Sequence, residues 1–411
     1  MELRKNCRDS QFLQWLNSLL FCLSILIKAY GDAMLAQKRD WFLSDDIKYV
    51  LLILATVLGM LMITKTQKYQ LLQKETNSFL LLIFVWFVIS IIASFFNTYF
   101  HIITIKYWFY IILPFVYAYS VIKTSTLPLI INCFKAALII CFICYVFVEK
   151  GTSLFKIDNF LLISYTDSYS PFESSYSAGT AVALCAFFGY YRKGNGFWLA
   201  LSMLFCFLTF KRAPILMMFI YFLLPVLTNK NRLISKKWVT GFKIFFIISP
   251  ILLSILFKPA MISWFENTWH LSLDRFMMGR INLYHILLNS NYKLSGLGTT
   301  LGYMDYAIGK PSGIELELTQ LYLEVGIVGL ALFVNYCFNL ANRHLYCMAL
   351  ICYTMFNMLT SSSMGNPFSW IFLYLTIWCI QYKTPQHINE DNLKEKETAK
   401  GADILCALQK K

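Results

Sequence analysis

The sequence predicts an all-α polytopic membrane protein of about twelve transmembrane helices, with a large extracytoplasmic loop that contains amphipathic helices. Three observations point that way. Of 411 residues, 58% are hydrophobic, 17% aromatic and only 14% charged, whereas an ordinary soluble domain carries about a quarter charged residues and needs them to cover its surface. The apolar residues fall into runs near the length that crosses a bilayer core, roughly 20 residues at 1.5 Å each for about 30 Å. Lysine and arginine, finally, concentrate in alternate connections between those runs.

Twelve runs can be counted, from about Phe12 to Ala29, Ile47 to Thr64, Phe79 to Phe96, Ile105 to Ile122, Pro128 to Val148 and Tyr176 to Tyr191, then Gly196 to Phe210, Ala213 to Thr228, Phe242 to Phe257, Leu318 to Phe338, Arg343 to Ser361 and Pro367 to Gln381. Arg4, Lys5 and Arg8 precede the first run, the arrangement of a signal peptide. No small-residue cleavage site follows it, so a retained helix is expected.

Basic residues stay on the cytoplasmic side of short loops. Placing the N-terminus inside also puts Lys65, Lys68, Lys74, Arg192, Lys193, Lys230, Arg232, Lys236, Lys237 and Lys243 inside. Inside segments then hold 21 basic and 8 acidic residues, and outside segments 14 and 13, with Lys135 and Glu324 within spans. The net charge of +14 therefore reports topology, and no nucleic-acid partner is expected. Both termini of this multi-pass membrane protein are therefore expected on the cytoplasmic side.

None of the 12 cysteines lies in an outside loop; ten sit in spans, and Cys7 and Cys406 in the cytoplasmic ends. They read as small packing residues rather than a disulfide framework. The lone CxxC, Cys141 to Cys144, lies in an apolar run without the second pair that a zinc site needs. No metal site and no cofactor are expected.

The chain divides into a transmembrane bundle, 1–381, and a charged cytoplasmic tail, 382–411, where Glu390, Asp391, Lys394, Glu395, Lys396, Glu397 and Lys400 suit a solvated segment. Two outside connections are longer, from about Glu149 to Ser175 and from about Lys258 to Glu317. In the second, Trp264, Phe265, Trp269, Phe276 and Tyr284 alternate with Arg275, Arg280 and His285, which suits amphipathic helices at an interface. A loop of that length in a compact protein builds a site more often than it idles.

Three clusters on the outside carry candidate chemistry. Lys211 and Arg212 stand at the turn between the seventh and eighth runs, where positive-inside bias disfavours them. Pro214 just beyond marks a helix start, whose free N–H groups attract an anion such as diphosphate; snorkelling to lipid headgroups is the alternative. Arg280 follows Gly279, leads to Tyr284 and His285, and precedes the turn Gly296-Leu297-Gly298. There a guanidinium could grip phosphate bidentately and the glycines would admit a ligand close to the backbone, although ordinary turn glycines have the same appearance. Glu317, Gln320 and Glu324 share one helix face by their spacing of 3 and 4. Glu324 lies deep enough to need a polar cavity or a basic partner such as Lys135.

With these clusters the chain resembles the O-antigen polymerase and O-antigen ligase superfamily of polytopic glycosyltransferases, the Wzy type. Members have one large outer loop in the second half, an Arg at the outer end of a middle helix and an Arg near that loop's start. The loop leads through Gly-x-Gly into a helix ending in Gly-Ile-x-Gly. Here Arg212 matches the first Arg, Gly279-Arg280 the second, Gly296-Leu297-Gly298 the glycine turn and Gly326-Ile327-Val328-Gly329 the end. Ligases and many polymerases carry a His about eleven residues before that last turn, where this chain has Glu315 followed by Leu316, a departure that favours polymerase over ligase.

The resemblance implies a metal-independent transfer. A glycan on undecaprenyl diphosphate is the donor and a second lipid-linked repeat unit the acceptor, with membrane lipid and, as a further partner, a chain-length regulator protein. Arg212 and Arg280 would stabilise the departing diphosphate, and Glu315 or Glu317 would accept the hydroxyl proton, with His270 and His285 as alternatives. Lys211, Tyr284, His285, Gly296, Gly298, Gln320 and Glu324 would contact substrate. Two other classes compete: a lipid-linked oligosaccharide flippase or transporter, which would bury charges mid-span, and a metal-dependent glycosyltransferase using Asp45 and Asp46 of the short first outer loop.

Overall fold

The computed structural model describes residues 2–36, 46–63, 72–95, 102–148, 175–277, 279–289, 295–309, 313–361 and 364–383. The charged tail beyond 383, the connection at 149–174, Lys65, Lys68, Asp45 and Cys406 lie outside the described residues.

Among the described residues, each apolar run of the sequence lies mainly on a helix. The first nine runs are α1 (Glu2–Ala36), α2 (Ile47–Ile63), α3 (Gln73–Ser94), α4 (Ile102–Thr124), α5 (Leu127–Phe142), α6 (Ser175–Tyr190), α7 (Gly196–Leu208), α8 (Arg212–Leu227) and α9 (Lys236–Leu256). The long loop contains α10 (Pro259–Trp269), α11 (Leu273–Phe276), α12 (Arg280–Asn289) and α13 (Thr299–Ile308). The last three runs are α14 (Glu317–Leu340), α15 (Leu345–Thr360) and α16 (Pro367–Tyr382). No strand occurs among the described residues, and α5 runs on as a π-helical turn, Ile143–Val148.

Among the described residues six helices are long and apolar enough to cross a membrane: Gln11–Met34, Gln73–Ser94, Thr104–Thr124, Leu127–Tyr145, Lys236–Leu256 and Glu317–Leu340. Their outer faces carry exposed apolar side chains one helical turn apart, including Phe12, Trp15 and Leu19 on α1, Leu80, Phe84, Phe87 and Ile91 on α3, and Ile244, Ile248 and Leu252 on α9. Stripes of that extent do not face water on a soluble monomer, so the molecule is a membrane protein. Of the shorter helices, α6 and α15 are largely buried, whereas α2 and α8 expose apolar faces of their own, including Val50, Leu54 and Val57 on α2 and Leu216, Phe219 and Val226 on α8. Helix α16 is buried from Pro367 to Gln381 and contacts α4, α6 and α15, which makes it the axis of the bundle.

Proline begins three helices where its missing N–H costs nothing: Pro128 in α5, Pro259 in α10 and Pro367 in α16. Helix α14, which reads as one continuous run in the sequence, is broken at Gly326, with φ 69° and ψ −176°. The break frees backbone carbonyls from their usual partners four residues on. Glu324 O, ahead of the break, receives the Gly296 N–H at 3.0 Å; beyond it, Gly329 O also receives the Trp86 indole N–H at 3.1 Å.

Connections on alternate sides gather at opposite ends. At the end assigned inside, Tyr382 donates to Glu75 at 2.5 Å, Lys383 to Ser125 O at 2.9 Å and Gln381 to Leu340 O at 2.7 Å. At the other end, α10 to α13 fold over the bundle as a cap with a core of its own, including Phe257, Leu273, Ile281, Tyr284, Met304 and Leu316. Among the described residues ten cysteines, from Cys22 to Cys379, stand as free thiols in helices.

Candidate functional site

Among the described residues the cap holds one ion pair at its surface. Arg280 begins α12, one residue after Gly279, whose φ of 78° suits glycine. Its Nε stands 3.4 Å from Glu315 Oε2, within ion-pair reach but not aligned as a hydrogen bond, and its guanidinium also donates to Met277 O at 3.3 Å. The Arg280 side chain is 17% exposed and that of Glu315 56%. Glu315 has a left-handed backbone, φ 55°, which costs a residue with a Cβ roughly 1–2 kcal/mol. A pair this exposed returns about 0–1 kcal/mol, so stability does not explain the strain, and strain of this kind clusters at functional sites.

Glu317, two residues on, is 2% exposed. Both its carboxylate oxygens accept the Met364 N–H, at 2.7 and 2.8 Å, and Oε1 also receives the Tyr107 hydroxyl at 3.4 Å. Glu317 thereby joins the start of α14 to the turn before α16 and to α4. Of the two carboxylates that the sequence offered as proton acceptors, only Glu315 is open to solvent.

Glu324 is fully buried, and its partner is backbone rather than Lys135, whose ammonium stands over the Trp198 ring at 5.4 Å. Its carboxylate accepts the N–H groups of Gly298 at 2.8 Å and Thr300 at 3.1 Å and the Gln320 amide at 3.0 Å. Gly298 and Thr300 open α13, so Glu324 caps that helix from another helix, its charge placed at the positive end of the dipole.

The two glycines of the turn are approached by protein. Gly296, with φ 93°, has Ser90 Cα 3.0 Å from where a Cβ would stand, and Gly298, with φ 79°, has Tyr107 Cβ at the same distance. Leu297 N–H donates to Ser90 Oγ at 3.0 Å. This turn is therefore the seam between cap and bundle.

Tyr284 and His285 fasten the cap on its other side. The Tyr284 hydroxyl donates to Ser254 O at 3.4 Å, and His285 Nε2 stands 2.7 Å from Phe257 O. Burial pushes the Tyr284 phenol above its ordinary pKa, keeping it a neutral donor. Lys211 and Arg212 open α8 as expected, after Phe210 at φ 50°, and Arg212 is exposed. Helix α8 packs on α6, α7 and α15, whereas α12 packs on α11 and α13, so Arg212 and Arg280 rise from different walls.

The sequence brought Arg280 and Glu315 forward separately, with nothing to say that they pair. It missed Ser90, Tyr107 and Met364, whose serine, tyrosine and backbone N–H carry no signal apart from their partners. Among the described residues no three His, Cys, Asp or Glu side chains gather as a metal set. No family model, curated protein or solved structure matches the chain, and the site stands on its own geometry.

Proposed function

We propose that this chain is a multi-pass glycosyltransferase of the bacterial cytoplasmic membrane that polymerises oligosaccharide repeat units carried on undecaprenyl diphosphate, with twelve spans, cytoplasmic termini and the cap on the outer face. The observation that carries the reading is the Arg280–Glu315 pair. A strained, solvent-open carboxylate stands beside a held guanidinium, on a cap seamed to the bundle through Glu324 and Glu317.

In this reading a hydroxyl of the acceptor sugar attacks the anomeric carbon of the donor, and the bond from that carbon to the diphosphate oxygen breaks. Glu315 takes the hydroxyl proton, which requires a separation of about 3 Å. Arg280 receives the negative charge on the departing diphosphate, a planar cation matched to paired oxygens. Arg212 and Lys211 offer a second cationic wall for the same lipid diphosphate. Membrane lipid surrounds the spans, and a chain-length regulator is a further partner. Glu317, Gln320 and Glu324 hold the walls in register instead of touching sugar.

Deleting the gene and separating surface polysaccharide on a gel tests the class of activity. Loss of the ladder with single repeats retained supports a polymerase. Loss of all attached glycan would replace it with a ligase, and intermediates trapped on the cytoplasmic side with a flippase.

A further inference from the structure

Three turns at the inner end carry cations that the proposed chemistry does not use. Arg192 and Lys193 lie between α6 and α7, and Lys230 and Arg232 between α8 and α9, with Lys236 and Lys237 opening α9. Arg343 lies between α14 and α15. Segments 190–197, 228–238 and 339–346 contain no Asp or Glu.

Hydrogen bonds tie the three turns into one surface. Lys230 Nζ donates to Tyr190 O at 3.0 Å, and the Tyr190 hydroxyl to Asn231 Oδ1 at 3.1 Å. The Ile234 N–H donates to Arg343 O at 2.8 Å, the Leu345 N–H to Arg232 O at 3.0 Å and Arg343 Nε to Ile234 O at 2.9 Å. The three turns are thus preorganised, and a ligand would not have to order them. Beside them Phe197, Leu233 and Trp238 are exposed at 69%, 58% and 68%, the mixture of apolar and basic side chains that sits at headgroup level.

Behind the cations lie two buried polar side chains without partners. His344 is 8% exposed with neither ring nitrogen bonded, and Tyr346 is fully buried with its hydroxyl unbonded. Their rings stand 6.1 Å apart, and both pack on Tyr190, at 5.7 and 5.4 Å. Positive-inside bias accounts for cations on this side but not for buried donors left open, which are costly. A group that brings both negative charge and acceptor oxygens satisfies the two features at once.

We propose that this surface binds the phosphate headgroup of anionic phospholipid in the leaflet at the inner end, with Arg192 and Arg232 on the phosphate and His344 and Tyr346 bonded to headgroup oxygens. Basic pockets between membrane helices on the cytoplasmic side recognise such headgroups. None of these residues belongs to the cap, so this site and the proposed transferase stand or fall separately.

The test follows the thermal midpoint of the purified full chain in phosphatidylcholine vesicles as phosphatidylglycerol replaces part of the lipid. The wild type is expected to gain stability saturably. The Arg192→Gln/Arg232→Gln variant is expected to keep the phosphatidylcholine midpoint but to need on the order of tenfold more phosphatidylglycerol, while Lys258→Gln, at the opposite end, responds as the wild type does. An unresponsive wild type, or an undiminished response in the double variant, overturns the proposal. An equal gain from inorganic phosphate in phosphatidylcholine vesicles overturns it in favour of a free anion. Should the double variant not fold, salt decides on the wild type: a response that shrinks as salt rises supports the proposal, and one indifferent to salt overturns it.

Discussion

The carboxylate of Glu324 accepts the backbone N–H of Gly298 at 2.8 Å, and through this bond a carboxylate deep in one helix caps the start of another. The break of α14 at Gly326 contributes as well, because the Glu324 carbonyl it frees accepts the Gly296 N–H at 3.0 Å. Both hydrogen bonds hold the same short turn, and that turn joins cap to bundle.

Removing the Glu324 side chain should therefore loosen the cap. Glu324→Ala leaves the donors of Gly298, Thr300 and Gln320 buried without an acceptor, at roughly 1–3 kcal/mol each. A clear fall in thermal midpoint in detergent is expected, with Glu324→Gln milder. An unchanged midpoint in Glu324→Ala would mean that the turn is held by other contacts.

Two glycines separate backbone strain from crowding. Gly298→Ala brings a Cβ to 3.0 Å from Tyr107 at a left-handed φ, whereas Gly279→Ala meets nothing within 4 Å at nearly the same φ. Both pay roughly 1–2 kcal/mol for handedness, and only Gly298→Ala should pay a further roughly 1–3 kcal/mol for overpacking. Equal losses of stability in the two variants would argue against the close seam.

The two carboxylates near the start of α14 should part company when tested. Glu317→Gln disturbs an acceptor bonded to Met364 and Tyr107, so stability is expected to fall. Glu315→Gln alters an exposed side chain and should leave the midpoint within about 1 kcal/mol while slowing transfer by about 10²–10⁴-fold. Full activity in Glu315→Gln would remove it as proton acceptor.

Much of the helical architecture was legible because an apolar run near bilayer length leaves its backbone no partner in lipid except itself. The break at Gly326 was not, since a glycine inside an apolar run looks the same whether or not the helix continues. The site was half legible. Spacing put Glu317, Gln320 and Glu324 on one face, but nothing in that spacing says whether a buried carboxylate meets a sugar, a lysine or backbone N–H groups 24 to 26 residues earlier. The glycine turn was readable as a place of close approach, while Ser90 and Tyr107, which make that approach, lie some 200 residues away in sequence.

Arg280 carries the central claim. Reconstituted in vesicles with polyprenyl-diphosphate-linked oligosaccharide as both donor and acceptor, the wild-type chain should build a ladder of lengthening products without added metal. Arg280→Ala, with the wild-type thermal midpoint, should leave the single repeat unextended. A ladder of normal length from that variant would contradict the account.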